Sequence, residues 1–128
     1  MPIVDSSAYV KYFAKEPGWD AAAGHLVQPT SIWLAFAEVA NALSNKVTLD
    51  EMSLEDAEFL LRKMTEVTRI VEGFESVIPA MKMSREKRIT VYDALFIVAA
   101  LENKLGLTTC DAKQARAARD LGISVDIV

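Results

Sequence analysis

Short apolar runs alternate with helical segments along this chain. That alternation predicts an α/β layer fold with a largely parallel sheet, because parallel neighbours need helical crossovers, which are right-handed. Two observations support it. Only 4 Pro and 5 Gly occur in 128 residues, too few for a loop-rich all-β protein. Hydrophobic residues make up 52% and charged residues 25%, which supplies one core and excludes a disordered chain. We expect a single domain over residues 1–128, with no linker, internal repeat or low-complexity tract.

The elements follow in order. "PIVD" reads as a short buried strand ending at Asp5. "SSAYVKYFA" has helical spacing and is broken by "KEPGW", where Pro17 and Gly18 punctuate the chain. "WDAAAGHL" is a second, short helix, and "VQPTSIWLA" contains a short strand or the approach to a helix. "LAFAEVANALSNKV" repeats apolar residues at helical period. "DEMSLEDAEFLLRKMTEV" is helical, with Ser53 as N-cap and Asp56 three residues on. "RIVE" is a strand. "FESVIPAMKMSREKR" is helical, with Pro79 expected to end or bend it. "TVYDALFIVAALENKLG" is the most apolar helix, with Gly106 expected at the C′ position. "LTTC" is a strand, "DAKQARAARDLG" a helix closed by Gly122, and "ISVDIV" the last strand.

Composition narrows the function classes. One cysteine, Cys110, excludes a disulfide scaffold. No basic-apolar leader and no run near 18 apolar residues is present, so the expected location is the cytoplasm, away from membranes. The net charge of −4 argues against nucleic-acid binding by a uniformly basic surface. It is compatible with an acidic metal site, whose charge a bound cation neutralises.

Four acids stand out. Asp5 follows "PIV", Asp111 follows "LTTC", and Asp93 lies in the first turn of the "TVYDALF" helix. In a parallel sheet the carboxyl ends of the strands share one rim, where ligands bind at the point of reversed strand order. Asp5 and Asp111 meet there if their strands are neighbours. Glu38 sits alone among the apolar residues of "WLAFAEVANAL", and a buried acid needs a partner. Each position also has a plain structural explanation. Asp5 and Asp111 are good N-caps, Thr90 and Asp93 have capping-box spacing, and Glu38 could reach the wet edge of its helix. Capping and binding are compatible, since a helix start holds a carboxylate in a fixed pose. Clustered carboxylates without His or Cys select hard cations, Mg²⁺ or Mn²⁺. A hydrolase of this type uses the cation to activate water and to neutralise charge on a phosphate, with one ion or two.

In order and spacing, "IVDSSAYVKYF", "AEVANAL", "TVYDALFIVAA" and "LTTCDAKQARAARDLGI" resemble the PIN-domain family, and within it the VapC-type toxins of toxin–antitoxin pairs. The resemblance implies a three-layer α/β/α fold with a parallel sheet of about five strands ordered 3-2-1-4-5. It implies a metal-dependent, single-strand endoribonuclease. Asp5 and Asp93 match the principal Mg²⁺ ligands, and Glu38 and Asp111 the acids that complete the pocket and hold a second ion or a water. Ser7 and Thr109 match the accompanying hydroxyls. The implied partners are an RNA substrate, a small antitoxin of the VapB type, and a second copy of the chain in a homodimer.

Other residues carry weaker signals. Asn41 shares a helical face with Glu38 and could orient it or contact substrate. His25 is the sole histidine, which disfavours a histidine metal site or a Ser-His triad and places it on a surface helix. Cys110 reads as a small buried filler. Lys82, Arg85, Lys87 and Arg88 in "KMSREKR" either touch RNA phosphates or solvate a helix end. Lys11, Lys15, Lys113 and Arg116 are further candidates for phosphate contact. Two alternatives stay open. One is a non-catalytic PIN-like RNA-binding module. The other is a receiver-like phosphoacceptor domain, which needs an Asp where "RIVEGF" supplies Glu72 and a Lys that "ISVDIV" lacks.

Overall fold

Strand β1 (Ile3–Val4) hydrogen-bonds on both edges, to β2 (Thr30–Ser31) and to β4 (Leu107–Thr109). Strands β3 (Arg69–Ile70) and β5 (Val125–Ile127) extend the sheet outward. All four pairings are parallel and the order is β3-β2-β1-β4-β5. This is the expected 3-2-1-4-5 order in a three-layer α/β/α arrangement. It differs from the 2-1-3-4-5 order of receiver-like folds. The molecule, a computed structural model, is described over residues 1–71 and 74–128; Glu72, invoked for the receiver alternative, lies outside the described residues.

Among the described residues, seven α-helices connect the strands: α1 (Ser6–Phe13), α2 (Asp20–Ala23), α3 (Leu34–Thr48), α4 (Leu54–Val67), α5 (Val77–Lys87), α6 (Val91–Asn103) and α7 (Ala112–Asp120). The core joins Ile3, Val4 and Leu107 of the sheet to Val39 and Leu43 of α3 and to Phe96 and Ile97 of α6. Helix α6 buries Ala94 and every residue from Phe96 to Ala100. Its sequence is apolar on most sides because it is enclosed on most sides. Tyr9 of α1 is also core, and its hydroxyl is hydrogen-bonded to Thr68 Oγ1 at 2.9 Å. Burial pushes that phenol up to about 12.

The caps are local and follow the sequence. Ser53 accepts from the Asp56 amide at 3.0 Å, and Thr90 from the Asp93 amide at 3.0 Å. Gly122, at φ 81°, closes α7 as expected.

Three expectations are corrected. Pro79 neither ends nor bends a helix. It is the third residue of α5, in the first turn, where its missing amide N–H would have no intrahelical acceptor. Gly106 is not the C′ residue of α6. Lys104 takes the left-handed position at φ 54°, and the Leu105 amide donates back to Ala100 O at 2.9 Å. The glycine is needed one step later, where a Cβ at position 106 would lie 2.8 Å from Ser124 O of the adjacent chain. His25 is not a free surface residue. It is half-buried in a 3-10 turn, with Nδ1 3.4 Å from Thr108 Oγ1 of β4.

Candidate active site

The register of β1 and β4 builds the site. Val4 stands opposite Thr108, so the next residues, Asp5 and Thr109, face each other as the strands end. Both lie at the point where chain order reverses, with β2 on one side of β1 and β4 on the other. Asp5 caps α1, with Oδ1 accepting from the Ala8 amide at 3.2 Å and from Ser7 Oγ at 2.6 Å. Its other oxygen, Oδ2, accepts from Thr109 Oγ1 at 2.5 Å. Ser7 Oγ in turn accepts from the Cys110 amide at 2.8 Å. The two hydroxyls expected beside the first and last acids thus hold one carboxylate from both sides.

Asp111 caps α7, with Oδ1 accepting from the Lys113 and Gln114 amides at 2.8 and 3.1 Å. Its own amide donates to Thr109 Oγ1 at 2.9 Å, which ties it to Asp5 through one hydroxyl. The capping explanation therefore holds for both aspartates, and it fixes where their carboxylates point. Glu38 is half-buried on α3 and accepts from Ser6 Oγ at 3.0 Å. Asp93 occupies the first turn of α6.

Asp93 is the electrostatic centre of the group. Burial raises the Asp93 carboxyl above its ordinary value, and repulsion from Asp111 adds to the rise; Lys113 partly offsets it. Burial raises Glu38, against the Ser6 hydrogen bond, and Asp93 pushes it further. Burial also lifts Asp5, to about 6, against the bonds from Ser7, Thr109 and Ala8, with Asp93 again contributing upward. Asp93 thus repels carboxylates from β1, α3 and the start of α7. All four acids predicted from the sequence belong to one field, offset at Asp93 by the Thr90 hydroxyl and then by Lys113, at Glu38 by Ser6, and at Asp5 by Ser7 and Thr109.

Among the described residues, no three His, Cys, Asp or Glu side chains stand close enough together to grip one ion at once. This is not a closed cage of the kind that zinc or calcium takes. The donor chemistry fits Mg²⁺ or Mn²⁺, which bind through one or two carboxylates and retain several waters. Three acids raised by burial and mutual repulsion are groups that a cation would relieve.

Asn41 is exposed beside this group, and no hydrogen bond joins it to Glu38 among the described residues. Cys110 is half-buried, with its thiol raised by burial. Two of the candidate phosphate contacts have partners within the chain. Lys11 Nζ donates to Val128 O at 2.8 Å, and Lys15 Nζ lies 4.0 Å from the Tyr12 ring centroid and 3.9 Å from that of Trp19. Lys82, Arg85 and Arg88 are exposed and Lys87 is half-buried at the C-terminal end of α5, where positive charge complements the helix dipole. Lys113 and Arg116 are exposed on α7.

Sequence reasoning missed two residues, Ser6 and Gln114. Gln114 is 1% exposed. Its Nε2 donates to the Asp93 carbonyl at 3.1 Å, and its Oε1 accepts from Thr109 Oγ1 at 3.0 Å. It clasps the start of α6 to the end of β4. The first bond fixes the amide orientation, so the single Thr109 proton faces two acceptors, Asp5 Oδ2 and Gln114 Oε1. A proton on Asp5 completes the network, because Asp5 can then donate to Thr109 and Thr109 to Gln114.

This proton has a stability consequence. Asp5 has a folded pKa of about 6 against an ordinary 3.8, so the folded state binds more protons between those values. Stability from this group is full below pH 4 and falls as pH rises through 6, by roughly 2–3 kcal/mol. Metal-free protein should therefore lose that increment between pH 4 and pH 7, and Asp5→Asn should flatten the loss. Urea unfolding at several pH values measures it; the same pH slope in both proteins would contradict the assignment.

The comparisons with known proteins agree with this geometry. The model of the PIN domain matches residues 3–120. No curated protein matches. Among solved structures, the crystal structure of PAE2754 from Pyrobaculum aerophilum superposes with a TM-score of 0.74 at 24% identity, covering 90% of this chain and 82% of that one. At that identity the likeness speaks for the fold. Among the described residues, no helix is long and apolar enough to cross a membrane. With nearly all of its length matched by the family model, and with the strand order that the resemblance implied, the chain belongs to the PIN-domain family, a nuclease fold.

Proposed function

We propose that this chain is a Mg²⁺- or Mn²⁺-dependent endoribonuclease of the VapC type, the toxin of a toxin–antitoxin pair. The observation that carries the reading is the field around Asp93, which joins Asp5, Glu38 and Asp111 at the ends of β1 and β4. When bound, a divalent cation supplies Lewis-acid polarisation of the phosphodiester and activation of water. Asp5 and Asp93 are the residues that would hold it, and Glu38 and Asp111 would position it or accept a proton from water. Ser7, Thr109 and Gln114 keep the Asp5 and Asp93 segments fixed. The cell compartment we propose is the cytoplasm.

Partners belong to the same proposal. Trp33, Val77, Ile78 and Met81 expose large apolar surface at or near a cavity of about 710 Å³ between α3, α5 and α6. Phe59 and Leu54 do so on α4. Faces of this type support contact with an antitoxin of the VapB type and with a second copy of the chain.

Incubating the protein with labelled single-stranded RNA in Mg²⁺ or Mn²⁺ tests the activity. Internal cuts should appear, stop with excess chelator and return when Mn²⁺ is restored. Undiminished cutting in chelator would sink the mechanism, and binding without cutting under every metal condition would favour the non-catalytic module.

A further inference from the structure

The space beside the acids exceeds what a cation needs. A cavity of about 600 Å³ opens from Ser6, Ser7 and Glu38 and continues past Asn41, Asn45 and Tyr92. Helix α3 supplies one wall. Asn41 and Asn45 follow Glu38 by three and seven residues, hence about 4.5 and 10.5 Å along the axis on the same face. Tyr92 also lines the cavity, next to Asp93 in sequence, and is 60% exposed. Leu34 and Ala37 make part of the lining apolar.

The polar groups here differ from those of a phosphate channel. Among the described residues, no lysine or arginine lines the cavity, and Glu16 adds a second carboxylate to Glu38. An RNA backbone would be repelled from such walls. An unpaired base would not be. It can lay its face on the tyrosine ring and its edge on amides that offer both donors and acceptors. Asn41 and Asn45 are both exposed, and neither has a side-chain hydrogen bond among the described residues. The carboxylates accept only, so they favour bases with an exocyclic amine and disfavour the carbonyl-rich edge of uracil.

On the nuclease reading above, we infer that the cavity walled by Asn41, Asn45 and Tyr92 is a nucleobase subsite, which seats an unpaired base bearing an exocyclic amine beside the scissile phosphate. Bases point in and the backbone runs outside. Cut-site choice would then be set on α3 and at the start of α6, next to the acids that do the chemistry.

Binding tests this without relying on cleavage. Fluorescein-labelled oligoadenylate, oligocytidylate and oligouridylate are titrated in Mn²⁺ against the Asp5→Asn protein and followed by anisotropy. The adenylate or the cytidylate should bind about tenfold tighter than the uridylate. Adding Glu16→Gln and Glu38→Gln should bring the three affinities within about twofold, whereas Asn41→Ala with Asn45→Ala, or Tyr92→Ala, should weaken all of them about tenfold. Circular dichroism and a thermal melt confirm that these surface variants fold. Equal affinities for the three oligomers, or a preference that survives Glu16→Gln and Glu38→Gln together, would overturn the inference. The unsubstituted protein, assayed for cutting in parallel, reports on the nuclease reading by itself. Cutting without base preference removes only the subsite, whereas base preference without cutting keeps the subsite and removes the nuclease.

Discussion

Asp93→Asn should reduce RNA cleavage about a thousandfold while leaving the metal-free protein at least as stable as its parent. The size of the loss follows from removing the group at the centre of the acidic field, since about 4 kcal/mol of transition-state stabilisation corresponds to a thousandfold in rate. The stability half follows from the sign of the shift. Burial and then Asp111 raise the folded Asp93 carboxyl above its ordinary value, so its ionised form is disfavoured in the fold. A neutral amide removes that penalty and the repulsion that Asp93 exerts on Asp5 and Glu38. The Thr90 cap survives, because it accepts from the backbone amide of residue 93. Cleavage rates and thermal melts of both proteins check the two halves. A variant that melts markedly earlier would show that Asp93 is structural, and one that cuts at the parent rate would remove it from the chemistry.

Gln114→Met is expected to be the next largest change. Methionine keeps the length of the side chain but removes both hydrogen bonds, leaving the Asp93 carbonyl without its side-chain donor, while Thr109 keeps Asp5 as acceptor. The site is 1% exposed, so the loss is not made good by bulk water and should cost about 1–3 kcal/mol of stability. The same clasp sets the start of α6 against the end of β4. Loosening it should lower Mn²⁺ affinity and cleavage by about 10–100-fold, as loss of a group that orients ligands does. Calorimetric titration alongside urea unfolding separates the two effects. Lost stability with parental Mn²⁺ affinity would reduce Gln114 to a packing role.

Much of this site was legible before the structure because its signals are local. Asp5 and Asp111 end apolar runs and begin helices, and an N-cap aspartate is a property of a few consecutive residues. Glu38 was conspicuous as one acid on an apolar helix. The same test would have found Gln114, a lone amide on the face of α7 shared with Asp111, Ala115 and Ala118, three of whose members are buried. Alanines made that face look neutral, so the amide drew no notice. Ser6 could not be separated from Ser7, because the two helical neighbours point apart and only the position of α3 decides which reaches Glu38.

The fold divides in the same way. Helices and strands were readable from period and punctuation, whereas the strand order came from resemblance, since pairing is non-local. Pro79 and Gly106 were misplaced for related reasons. A proline in the first turn is harmless, but where the turn begins depends on the 3-10 segment Phe74–Ser76 before it. A lysine can close a helix if the next residues allow it, and Gly106 is required by the carbonyl of Ser124, eighteen positions away in the chain.

On this reading Asp5 and Asp93 would hold one divalent cation that serves RNA hydrolysis, with Glu38 and Asp111 beside it. Isothermal titration of Mn²⁺ into the metal-free protein near pH 6 tests it most directly. Saturable binding with proton release is expected, because burial lifts Asp5 to about 6 and it must give up its proton to a cation, and Asp93→Asn should abolish both. Parental Mn²⁺ affinity in Asp93→Asn, or no binding by the unsubstituted protein, would contradict it.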